Sequence, residues 1–174
     1  MKDANFAGNA RFAVDILGNE HHYNCMGCSI SSGEITPPGG IIFEGNIVKL
    51  AADPEVPIPG FLVVNVKKHV NSFSEFTPEE RCEIANVIAH ASSALKQLNV
   101  TQTITIVQEE RSRHFHLWIF PTHPWMIEKF GKGVEHLRAI SDYAIKYSNK
   151  ETVAEVLNVV EKVKKYFKTH NIAD

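Results

Sequence analysis

The chain has 174 residues, of which 44% are hydrophobic and 22% charged, with a formal net charge of -2. That length suits one domain, 1–174, with a sizeable core. The charge balance gives no sign of a binder dominated by contacts to nucleic-acid phosphates, which is usually basic overall, and leaves room only for local basic patches. The first 22 residues lack the continuous apolar stretch of a signal peptide. No run approaches the roughly 18 apolar residues of a membrane span, so the expected location is cytoplasmic. Three cysteines, an odd number, argue against a disulfide framework in a reducing compartment.

Residues 1–24 are mixed, with a short helix expected over Ala10 to Leu17. Ser31-Ser32-Gly33-Glu34 and Pro37-Pro38-Gly39-Gly40 are turn chemistry. Ile41-Ile42-Phe43, Ile47 to Leu50 and Phe61 to Val66 are β-branched runs bounded by Gly, Pro and Asp, and predict strands. Gly45-Asn46 suits a tight hairpin between the first two. Thr77-Pro78-Glu79-Glu80 starts a helix: Thr77 as N-cap, Pro78 in the first turn, Glu80 closing a capping box. Ile84, Val87, Ile88, Ala91, Leu95 and Leu98 then recur at helical spacing, and Cys82 is expected in the core of this helix. Strands follow over Thr103 to Val107 and His114 to Phe120. Two amphipathic helices follow over about 134–147 and 152–167, the second striped by Val153, Val156, Leu157, Val160, Val163 and Phe167. The class is α+β: an antiparallel sheet with helices on one side.

Nine histidines are the unusual count. In Arg113-His114-Phe115-His116-Leu117-Trp118-Ile119-Phe120, alternation puts His114, His116 and Trp118 on one face. Phe115, Leu117 and Ile119 take the other, so the histidines face solvent or a cleft. Cys25-Met26-Gly27-Cys28 admits three readings: a redox pair, two small apolar residues, or half of a tetrahedral zinc site. No thioredoxin-like βαβ unit surrounds it.

This chain resembles the histidine-triad (HIT) superfamily, whose motif is His-φ-His-φ-His-φ-φ with φ apolar. The resemblance covers roughly residues 23 to 125, leaving a C-terminal helical extension over about 126–174. It is carried by Cys25-Met26-Gly27-Cys28-Ser29-Ile30, Gly33-Glu34-Ile35, Phe43-Glu44, Asp53, Pro59-Gly60, Lys67-Lys68-His69-Val70 and Thr77-Pro78-Glu79-Glu80, in order. It implies the family's antiparallel sheet with one long helix packed on it. It also implies that His116, matching the middle histidine, attacks the α-phosphorus of a nucleotide or dinucleotide and forms a nucleotidyl-histidine. Neutral imidazole is a good nucleophile near pH 7. Asp53 matches the ribose-binding acid; its plainer reading is a turn aspartate before Pro54. Some branches complete a structural zinc site from the two cysteines, the histidine of Lys-x-His and the first motif histidine, here Cys25, Cys28, His69 and His114. Many relatives form dimers, so a homodimer is expected.

Two positions depart from the pattern. Trp118 stands where the third histidine, or glutamine in the uridylyltransferase branch, contacts the phosphate or leaving group, and an indole N–H only donates. Gln108-Glu109-Glu110-Arg111-Ser112-Arg113 replaces the Gly-rich phosphate loop. Gln108, Arg111, Trp118 and Arg113 are candidates to contact nucleotide, Arg111 or Arg113 as a charge clamp, while Glu109 and Glu110 would repel an anion. His123 is a candidate to compensate for Trp118, and His21 and His22 are alternative metal ligands. The resemblance thus implies a nucleotide hydrolase or nucleotidyltransferase. The alternatives are a transferase akin to galactose-1-phosphate uridylyltransferases and a nucleotide-binding module without turnover.

Overall fold

The computed structural model describes residues 11–109 and 112–172. The chain opens with a hairpin, β1 (Arg11–Val14) and β2 (Glu20–Tyr23), where the sequence predicted a helix. Ala10 lies outside the described residues. Asp15 decides the outcome: its carboxylate accepts from the Leu17 and Asn19 amides, the Asn19 side chain and His21, all within 2.8–2.9 Å. A residue that organises a turn this way competes with the helix. Next comes α1 (Met26–Ser32), closed by Gly33 in the left-handed conformation at φ 85°.

The main sheet holds β3 (Phe43–Glu44), β4 (Val48–Ala52), β5 (Leu62–Val66), β6 (Ile104–Gln108) and β7 (His116–Pro121). Its order is β3-β4-β5-β7-β6 and every pair is antiparallel. The β3–β4 hairpin closes where Gly45 N–H donates to the Val48 carbonyl, at the turn the sequence marked. The helices are α2 (Pro78–Gln97), α3 (Pro124–Phe130), α4 (Leu137–Lys146) and α5 (Lys150–Thr169). The expected capping box opens α2: Thr77 Oγ1 accepts from Glu80 N, and Glu80 accepts from Thr77 N.

Alternate residues of the sheet fill two cores. On one face Leu50, Val64, Val66 and Ile119 pack with Ile84, Val87 and Leu95 of α2 and Val156, Val160 and Val163 of α5. The C-terminal stripe is therefore buried within the chain. Each such aliphatic side chain stabilises the fold by roughly 1.5–3 kcal/mol over leaving it exposed. On the other face Trp118 and Phe120 join Ile58 and Phe61 of the β4–β5 connection, Met126 of α3, and Leu137 and Ile140 of α4. Helices thus cover both faces, not the single side expected, because Trp118 and Phe120 make the histidine face of β7 apolar beyond His116. Cys82, expected in the core, is exposed, since the inward stripe of α2 runs through Ile84, Val87 and Ala91. Among the described residues no helix is long and apolar enough to cross a membrane.

Candidate active site and metal centre

The segment before β7, the start of α1 and the turn after β5 converge at one end of the sheet. His114 is almost fully buried there, 1% exposed. Phe115 N–H donates to the Val70 carbonyl at 2.7 Å, tying the β7 approach to the His69 segment. From α1, Cys25 and Cys28 reach the same point. Asn65 of β5 fixes that helix by donating to the Gly27 carbonyl (3.0 Å) and to Ser31 Oγ (2.9 Å). Gly27 is required by closeness: a Cβ there would lie 2.3 Å from His114 Cδ2.

The donor atoms of Cys25, Cys28, His69 and His114 all lie within 4.8 Å of one another. Zn–S of about 2.3 Å and Zn–N of about 2.0–2.1 Å, round a tetrahedron, place sulfur and nitrogen about 3.6 Å apart and two nitrogens about 3.4 Å apart. The four sulfur–nitrogen distances are 3.2–3.5 Å and the two Nδ1 atoms are 3.4 Å apart. The donors fit one tetrahedral ion. His114 Nε2 must donate to the Val66 carbonyl, 2.7 Å away, so its Nδ1 lone pair faces the cluster. Burial, opposed by that hydrogen bond, holds His114 below the usual histidine range and keeps it neutral. Burial, and after it Cys25, pushes the Cys28 thiol up to about 11. A bound divalent cation would supply the charge that makes it a thiolate. His21, engaged with Asp15, and His22, packed on Phe12, are not in the cluster.

Next to this cluster is a cleft of about 430 Å³, within the range of small-ligand sites. His116, half-buried, stands in its wall. Its Nδ1 lies 2.9 Å from the His114 carbonyl. A carbonyl only accepts, so Nδ1 carries a proton, and in the neutral ring Nε2 holds the lone pair. Nε2 is 3.8 Å from Glu109 Oε2. The other Glu109 oxygen pairs with Arg138 of α4, whose guanidinium carbon sits 4.6 Å over the Trp118 ring. Glu109 thus has a cationic partner inside the cleft, where the sequence reading gave it only repulsion toward an anion.

Asp53 also lines the cleft. Its Oδ1 accepts from the Glu55 and Val56 amides, both at 2.9 Å, so the turn role read from the sequence is present. Desolvation, partly offset by those two bonds, pushes its carboxyl up to about 6. Trp118 and Arg113 line the cleft too. Gln108 does not: it is exposed, and its side-chain amide donates to the Asn71 carbonyl at 3.2 Å. Arg111 lies outside the described residues. His123 donates to the Pro59 carbonyl (2.8 Å) and lines a separate depression with Trp125 and Tyr143, away from His116. Arg138 was missed by sequence reasoning; only its place in an amphipathic helix was visible.

No family model matches the chain. It is 27% identical over 115 residues to an uncharacterised HIT-like protein of Methanocaldococcus jannaschii, covering 62% of this chain and 88% of the relative. Among solved structures it is similar to a hypothetical histidine triad nucleotide-binding protein of Sulfolobus tokodaii, with TM-score 0.58 and 20% identity over 83% of this chain and 94% of the other. A zinc-bound histidine triad family protein of Mycobacterium smegmatis aligns with TM-score 0.55 and 16% identity, over 81% and 96%. The antiparallel sheet, the long capped helix and the sequence relative agree: the chain has the HIT-like fold and is similar to proteins of the histidine-triad superfamily.

Proposed function

We infer that the chain is a nucleotide hydrolase or nucleotidyltransferase working through His116, with Cys25, Cys28, His69 and His114 holding a structural zinc ion. The observation that carries the reading is the His116 tautomer: Nδ1–H is committed to the His114 carbonyl, so in the neutral ring Nε2 holds the lone pair, and His116 lines the cleft. In the first step that lone pair forms a bond to the α-phosphorus, and the bond from phosphorus to the leaving oxygen breaks. The electron pair departs on that oxygen. Water or another acceptor then attacks phosphorus, the P–N bond breaks, and its electron pair returns to Nε2. The attacking water releases its proton to solvent. The Asp53 carboxylate, once ionised, suits the ribose hydroxyls as acceptor.

Trp118 has no proton that it can readily transfer to a leaving group. Substrates whose leaving group departs as a stable phosphate anion therefore suit this site better than those that leave as amines. That favours phosphoanhydrides, dinucleoside polyphosphates among them. The zinc reading is supported by the tetrahedral spacing of the four donors and by the zinc-bound relative of M. smegmatis. Zinc there would hold His114, and with it the carbonyl that orients His116.

The test is turnover of dinucleoside polyphosphates, nucleoside phosphoramidates and nucleotide sugars by the wild type and His116→Ala. The expectation is turnover, fastest on anhydrides, that His116→Ala abolishes while retaining metal and melting temperature. Equal turnover by the variant would refute the assignment. Nucleotide binding without turnover of any of these compounds would make the chain a binding module.

A further inference from the structure

In the motif this chain resembles, the side chain at position 118 contacts the substrate's phosphate or leaving group. Trp118 is a poor substitute: it lines the cleft but is 6% exposed and packed edge-on against Phe61, with ring centroids 5.1 Å apart, and its indole has a single N–H to offer. A cation from elsewhere in the chain covers it. Arg138 lies in the first turn of α4, whose Leu137 and Ile140 are buried in the same apolar cluster as Trp118. The helix is therefore anchored on the cleft wall, and Arg138 with it.

Its guanidinium is fixed on two sides. One face stacks over the indole, and one N–H edge pairs with Glu109. The opposite oxygen of that same carboxylate is 3.8 Å from His116 Nε2, so Arg138 and the nucleophile share one small region of the cleft. The Arg138 side chain is still 38% exposed, and a guanidinium has five N–H donors in a planar fork. Donors remain for a ligand. Arg113 lines the cleft as well, from the loop before β7 rather than from a packed helix.

We propose that Arg138 is the phosphate-binding residue of this cleft, a contact supplied by the C-terminal extension in place of the side chain missing at position 118. This rests on the reading of the cleft as a nucleotide site. A phosphate oxygen of the substrate accepts from the guanidinium edge that Glu109 leaves open, and the stacked indole holds the fork in that plane. The extension is then part of the site.

The test compares the four common nucleoside monophosphates with their nucleosides by calorimetric titration, on wild type, Arg138→Ala and Arg138→Lys. Wild type is expected to bind a monophosphate more tightly than the matching nucleoside. Arg138→Ala weakens the monophosphate about 10- to 100-fold, the range of a lost hydrogen bond to a charged group, and leaves the nucleoside unchanged. Arg138→Lys restores part of the loss by charge alone. Equal weakening of both ligands would mark Arg138 as merely structural and overturn the proposal, as would an unchanged monophosphate affinity. Either result leaves the nucleotide reading standing. If the wild type binds neither ligand, that reading falls and the proposal with it.

Discussion

Gly27→Ala is a sharp test of the metal centre because two effects of opposite sign compete. In a helix, alanine is favoured over glycine by up to about 1 kcal/mol, so local propensity alone predicts a more stable protein. The structure predicts the reverse. The new Cβ would sit 2.3, 2.5 and 2.7 Å from three atoms of the His114 ring, which must retreat by about 1 Å to reach ordinary contact. That ring is buried, with Nε2 held at 2.7 Å from the Val66 carbonyl and Nδ1 aimed into the donor cluster. Retreat on this scale breaks the hydrogen bond, at about 1–3 kcal/mol, and overpacking adds roughly 1–3 kcal/mol. Less the propensity gain, the net loss is about 1–5 kcal/mol. Displacing a ligand should also cost at least the 10- to 100-fold in metal affinity seen when only its outer partners change. Urea unfolding and elemental analysis of zinc-loaded wild type and variant measure both. The wild type is expected to carry about one equivalent of zinc. A Gly27→Ala protein that binds zinc as tightly as wild type and unfolds at the same or higher urea would refute the reasoning.

Cys28→Ser should lose the zinc equivalent and lower the melting temperature, whereas chelator should leave that variant's melting unchanged; scanning calorimetry with and without chelator reads both. Asn65→Ala removes the donor shared by the Gly27 carbonyl and Ser31 Oγ, and should cost about 1–3 kcal/mol in urea unfolding with reduced zinc affinity. For Asp53 the sign follows from a carboxyl raised to about 6: it holds its proton at pH 5 and has released it by pH 7.5. Acceptance from ribose hydroxyls therefore strengthens with rising pH, and adenosine affinity should increase across that interval in the wild type but stay flat in Asp53→Asn. A decrease with rising pH would refute the role.

The strands and α2 were legible because their cues are local. Thr77, Pro78 and Glu80 form a cap within four residues, and the β-branched runs at 47–50 and 61–66 lie between Gly45 and Asp53 and directly after Pro59-Gly60. Elements held by distant partners were not. α1 has seven residues, without helix-promoting periodicity, and is held from outside by Asn65 and by Lys49 Nζ donating to the Ser31 carbonyl at 2.9 Å. The seven-residue α3 went unnoticed between His123 and Phe130, despite Pro124 at its first turn. The four-donor cluster was readable only through the resemblance, since Cys25 and His114 are far apart in the chain. Arg138 shows the limit plainly. Nothing near it in sequence tells a helix-surface arginine from one that stacks on Trp118 and pairs with Glu109.

The pairing of β5 with β7, which sets Asn65 opposite His116, also has a consequence for how the chain folds. Those strands are joined through α2 and β6, so their ladder closes one of the longer loops in the main sheet, a contact that forms slowly. A slip of one residue would turn Leu117 into the cleft and His116 into the apolar core. A refolding chain thus regains its helical signal before His116 reaches the cleft. Burial of Trp118 after dilution from denaturant should lag the return of helical dichroism.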